Sequence, residues 1–93
     1  MDDDTVLTLR RDDLTWTPAD DGEVMVLDHR DSRYLAISVS GAPLWEALAA
    51  GATRAGLTEA LVVAWDLDET QARADVDEFL EVLRARDLLE SAG

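Results

Sequence analysis

Residues 24–48, VMVLDHRDSRYLAISVSGAPLWEAL, decide the fold, because a short hairpin runs straight into a helix. Glu23 to Asp28 and Arg33 to Ser38 are apolar, partly β-branched runs, and His29-Arg30-Asp31-Ser32 supplies the polar residues of a four-residue turn between them. Val24, Val26, Tyr34, Leu35 and Ile37 are expected to build the sheet. Ser40 then suits an N-cap, since its hydroxyl can accept from a free amide of the first turn, and Pro43 sits where a missing N–H costs nothing. Leu44, Trp45 and Leu48 form the buried stripe of this helix, and Gly51 ends it.

Two further helices follow. Thr53 offers a second cap, and Leu57, Leu61, Ala64 and Trp65 fall on one helical face before a stop near Asp66. Asp68 with Gln71 is a start signal for the third helix, in which Ala72, Val76, Phe79, Leu80 and Leu83 repeat the helical spacing. Arg84 and Arg86 lie in its last turn, where cations favour the helix dipole, and Leu88-Leu89 is expected to fold back onto the core. Upstream of the hairpin, residues 5–10 (TVLTLR) alternate well enough for a first strand. Residues 12–22 (DDLTWTPADDG) place Pro18, Gly22 and four Asp around Trp16, which predicts a connecting loop with Trp16 covering one end of the core. The order β-β-β-α-α-α describes one α+β domain over residues 1–93: a three-stranded antiparallel sheet followed by three helices packed on one face.

Composition narrows the function. The chain carries 21 Asp and Glu against 8 Arg, with no Lys, for a net charge of −13. Nucleic-acid binders concentrate cations that displace counterions from phosphates, whereas these arginines are scattered among more numerous acids. Acidity of this degree also serves solubility, and it attracts neutral-to-basic peptides. Without cysteine there is no disulfide, thiolate nucleophile or Cys-type zinc site. The opening MDDDTVLTLRRDD has neither a basic start nor an apolar run of signal-peptide length, and nothing approaches the roughly 18 apolar residues of a membrane span. A cytoplasmic protein that does not engage membranes is the expectation.

Catalytic sets are missing from the pattern. The single histidine, His29, falls in the hairpin turn, and no thiol accompanies it. The acidic pairs at Asp2-Asp3-Asp4, Asp12-Asp13 and Asp20-Asp21 lie in a terminus and in loops, where solvated acids are the plain explanation. Asp66-Leu67-Asp68 begins like a calcium loop, but Gln71 stands where the sharp turn needs Gly and Asp77 where the loop ends in Glu. The glycines are isolated, so no phosphate-binding loop exists. Neither a cofactor, a metal nor an enzymatic activity is expected.

What remains is recognition by shape. A third strand unpaired on one side exposes backbone donors and acceptors that an extended peptide satisfies by joining the sheet. The candidate residues are Arg33, Tyr34, Leu35, Ala36, Ile37 and Ser38 on that edge. Val76, Phe79, Leu80 and Leu83 of the third helix would form an apolar floor, although ordinary core packing explains them as well.

The stretch VLDHRDSRYLAISVSGAPLWEAL resembles PqqD-type peptide-recognition domains, which read as a hairpin ending in Arg-Tyr-Tyr-x-Leu-Asn followed by a Gly-Ala-x-Leu-Trp helix. Arg33, Tyr34, Ile37, Gly41, Ala42, Leu44 and Trp45 match, and the likeness continues through Asp75–Leu80 to Asp87-Leu88-Leu89. Leu35 and Ser38 depart from the pattern, replacing the second Tyr and the Asn. The resemblance implies a winged helix-turn-helix-like fold and a non-catalytic role in binding the leader of a ribosomally made precursor peptide. A chain of this length looks most like the small leader-binding subunit of lasso peptide biosynthesis. That setting implies a leader strand antiparallel to the third strand, with a leader Tyr and Pro in apolar pockets. It also implies handover to a cysteine-protease-type leader peptidase and an ATP-dependent macrolactam synthetase. The competing expectations are a winged-helix DNA binder reading with its third helix, and a leader-binding domain of another peptide pathway, such as quinone-cofactor or radical-enzyme maturation.

Overall fold

A computed structural model describes residues 5–91; the Asp2-Asp3-Asp4 run lies outside the described residues. The elements are β1 (Val6–Leu9), β2 (Leu14–Pro18), β3 (Val24–Asp28), β4 (Arg33–Ile37), α1 (Ala42–Ala50), β5 (Ala52–Thr53), α2 (Arg54–Trp65), α3 (Glu69–Ala85) and β6 (Leu89–Ser91). The α+β class and the three helices stand as expected. The strands are more numerous than the sequence indicated, and they form two antiparallel sheets, ordered β2-β3-β4 and β5-β1-β6.

The hairpin is in register as read: Asp28 pairs with Arg33, Val26 with Leu35 and Val24 with Ile37 across the four-residue turn. Its third partner is β2, the segment assigned to a loop, with Trp16 opposite Val26. In Leu14-Thr15-Trp16-Thr17 an alternating, partly β-branched pattern prevails over the surrounding Asp, and Pro18 falls at the strand end, where proline is tolerated. The first strand joins the other sheet, pairing with β5 and with β6. Leu88 and Leu89 do fold back, and Leu89 lies opposite Leu9.

The helix starts follow their caps in two cases of three. Thr53 Oγ1 accepts from the Gly56 amide (3.0 Å) and Asp68 Oδ1 from the Gln71 amide (2.8 Å). The Gln71 side chain turns to Asp75 and does not reach back to the cap. At α1 the expected Ser40 cap is absent: Gly41 holds the cap position without a side-chain bond, and Ser40 Oγ bonds Ser38 Oγ. The Ser38 carbonyl starts the helical turn instead, accepting from the amides of Gly41 and Ala42.

One core joins both sheets and all three helices. Trp45 is fully buried at its centre, and Trp16, half exposed, meets it edge to face at 5.4 Å between ring centroids. Leu57 and Leu61 of α2 are buried, but Ala64 and Trp65 on the same face emerge from the core. Among the described residues no helix is long and apolar enough to cross a membrane.

Candidate peptide-binding groove

Strand β4 has β3 on one side only, and α3 lies beyond its open side. Backbone direction on β4 follows from the bonds that β3 makes to its other neighbour. The Glu23 carbonyl accepts from Ala19, and the His29 amide donates to Asp13. Odd-numbered residues of β3 therefore face β2, and Val24, Val26 and Asp28 face β4. Their partners Ile37, Leu35 and Arg33 use their backbone groups within the hairpin. Tyr34 and Ala36 accordingly direct both N–H and C=O to the open side.

From Tyr34 onward the side chains alternate in step, and Arg33, next to the turn, is exposed despite its parity. Ile37 is buried and Leu35 half-buried, while Arg33, Tyr34 (72% exposed) and Ala36 are exposed. Ser38 follows the strand and is exposed. Two clefts lie between this edge and α3. One, of about 390 Å³, sits between Arg33-Tyr34-Leu35 and the end of α3 at Arg86 and Asp87. The other, of about 480 Å³, sits between Ser38 and the middle of α3, and Phe79, Val82, Trp65 and Leu67 give it an apolar wall. Ascending β4 corresponds to descending α3, so the two elements run antiparallel along the groove.

The expected floor of α3 divides. Val76, Leu80 and Leu83 are buried in the core, with at most 3% exposure, so they support the groove from beneath and do not line the clefts. Phe79 alone of the four reaches either of the two clefts beside β4. Asp75, Glu78, Phe79 and Val82 form a stripe beside the core stripe of Ala72, Val76, Leu80 and Leu83; Val82 was not among the expected groove residues, and Trp65, expected on the core face of α2, lines the cleft instead.

Gly41 is held to its identity by space. Its φ of −93° suits any residue, but a Cβ there would lie 3.0 Å from Phe79 Cε1 and 3.2 Å from Ile37 Cγ2. In Gly41→Ala the Phe79 ring, the looser neighbour, swings into the cleft. Peptide affinity is then expected to fall severalfold with about 1 kcal/mol of lost stability from overpacking. Calorimetric titration and thermal melting of the variant check both numbers.

Beneath the first cleft lies a buried ion pair. Arg10 donates from Nη2 to Asp28 Oδ1 (2.5 Å), from Nη1 to the Asp87 carbonyl (3.0 Å) and from Nε to the Asp12 carbonyl (3.0 Å). Burial disfavours the Asp28 charge, but the bond from Arg10, the Arg30 amide and both positive charges outweigh it and hold the carboxyl below the usual carboxylate range. At the cleft mouth Arg30 donates to Asp87 Oδ2 (2.7 Å). On the far side of α3 Arg54 makes a bidentate pair with Asp77 (2.6 Å for both bonds), and that bond keeps the Asp77 carboxyl low.

No thiol or triad lies in the groove, and His29 is exposed, bonding Thr15 Oγ1 at 2.9 Å. Among the described residues no cluster of three metal-ligating side chains converges. What the geometry offers is main-chain pairing with a cleft at either end.

No curated protein matches the chain. A solved structure, that of TbiB1 in complex with the TbiA(beta) leader peptide, is similar in fold, with a TM-score of 0.80 and 23% identity over 89% of this chain and 94% of its own. The family model for PqqD, coenzyme PQQ synthesis protein D, matches residues 23–89, from the start of the hairpin to the first residue of β6. With well over half of its length matched, including hairpin, groove and all three helices, the chain belongs to the PqqD family.

Proposed function

We propose that this chain is a non-catalytic module that captures the leader segment of a ribosomally synthesised precursor peptide, of the lasso class, by strand addition to β4. The observation that carries the reading is the unpaired edge of Tyr34 and Ala36 beside α3, with a cleft at each end. The guest strand runs antiparallel to β4. Arg33, Tyr34, Leu35, Ala36, Ile37 and Ser38 supply the edge, and Phe79, with Val82, supplies the apolar wall. Val76, Leu80 and Leu83 act by holding α3 in place. Likeness of fold to a protein solved with a leader peptide supports this assignment. In the cytoplasm the bound leader is presented to a cysteine-protease-type leader peptidase and an ATP-dependent macrolactam synthetase.

Reading of DNA by α3 is disfavoured by charge. Asp75, Glu78 and Glu81 stand on that helix, and phosphate contact there would meet repulsion at close range. The test is fluorescence anisotropy with a labelled leader peptide and, in parallel, duplex DNA at moderate salt. Saturable binding of peptide with none of DNA is the expected result, and the opposite pattern would discard the proposal.

A further inference from the structure

The groove is electrically polar, and the polarity specifies its guest. At the Arg33 end, three of the cleft's charges are already matched: Asp28 by Arg10 beneath it, and Asp87 and Arg30 by one another. Arg33 and Arg86 remain, with no ion-pair or hydrogen-bond partner for either guanidinium among the described residues, against Asp31 alone. At the Ser38 end, Asp75 and Glu78 border the apolar wall of Phe79 and Val82, and no cation lines that cleft. In a chain of net charge −13, the guest therefore meets exposed positive charge at one end and negative charge at the other.

Distance makes the two ends separate. Arg33 and Ser38 are five residues apart along an extended chain, roughly 17 Å at strand rise. Screening at physiological salt acts over about 8 Å, so each end reads only the guest residue beside it, and the overall negative field does not cancel the local one. Strand addition fixes direction as well. A guest antiparallel to β4 enters with its N-terminal part at Ser38 and leaves with its C-terminal part at Arg33.

We infer that the recognised peptide carries a Lys or Arg beside a large apolar residue at the N-terminal end of its docked strand, and an Asp or Glu about five residues downstream. The apolar residue fills the cleft of Phe79 and Val82 while the cation meets Asp75 and Glu78. The carboxylate meets Arg33 and Arg86, where the planar guanidinium favours it over other acceptors. This inference rests on strand addition to β4. It adds a charge order that backbone pairing alone does not supply.

The test is selection of a random dodecapeptide display library on the intact immobilised chain and on an Arg33→Glu/Arg86→Glu variant, whose fold is checked by thermal melting. On the wild type, enriched sequences are expected to place the cation before the carboxylate at the stated spacing. On the variant, the downstream position is expected to shift to Lys or Arg. A synthetic wild-type winner with its two charges exchanged is expected to bind about tenfold more weakly, the difference shrinking as salt rises. Enriched peptides with no positional charge preference, or a variant that keeps the wild-type preference, would overturn the polarity and leave strand addition standing. Enrichment of no peptide at all overturns both.

Discussion

Replacing Ala36 with proline is expected to weaken peptide binding by about one to two orders of magnitude while the helices and the second sheet stay folded. Ala36 directs its amide away from β3, so proline there removes a donor that only a guest uses. The guest carbonyl left facing that position is buried without a partner, which costs roughly 1–3 kcal/mol. Leu35 shows the opposite parity, since its backbone bonds Val26 within the hairpin. Leu35→Pro breaks that ladder and is expected to lower the melting temperature before binding is considered. The pair of variants separates an edge effect from a folding effect. Unchanged affinity in a folded Ala36→Pro protein would move the binding site off β4.

Replacing Arg10 with alanine is expected to lower the melting temperature by roughly 10 °C or more, because it strands a buried carboxylate and frees two carbonyls. The side chain is 6% exposed and ties β3 to the turn at Asp12 and to the chain at Asp87. The same pair sets a pH dependence. The folded Asp28 carboxyl is held low, so its contribution is fully present above the ordinary value near 4 and is lost as pH falls through the folded value. Asp28→Asn is thus expected to be less stable than the wild type at pH 7, with the gap narrowing below about pH 4. Melting curves from pH 7 to 3 check it, and a constant gap would assign the loss to packing.

The hairpin, the helical stripes and the caps at Thr53 and Asp68 were legible because each is a local signal: a turn of four polar residues, a period, a hydroxyl or carboxylate at a helix start. Most of the residues carrying the family resemblance lie on those elements. Strand β2 was not legible as a strand, because Asp and Pro around Leu14–Pro18 signal a loop and only the hairpin beside it supplies the partner. Strands β5 and β6 have two and three residues, too short to show a period. The groove was half legible. Helical spacing groups Val76, Phe79, Leu80 and Leu83, but it does not say where the buried stripe meets the surface. Phe79 and Val82 lie at that margin, while the others pack beneath. Arg10 and Asp28 meet across 18 residues and Arg10 and Asp87 across 77, separations that no local pattern encodes.

Those last separations govern when the protein becomes competent. One end of the cleft is assembled from the segment around Arg10, the hairpin and the residues just after α3, with Arg10 fastening all three. During synthesis the hairpin emerges early, yet its open edge has no wall until residues near 87 have left the ribosome. On the proposed reading, a copy that lacks the residues near 87 is therefore expected to hold a peptide more weakly than one in which that wall is present.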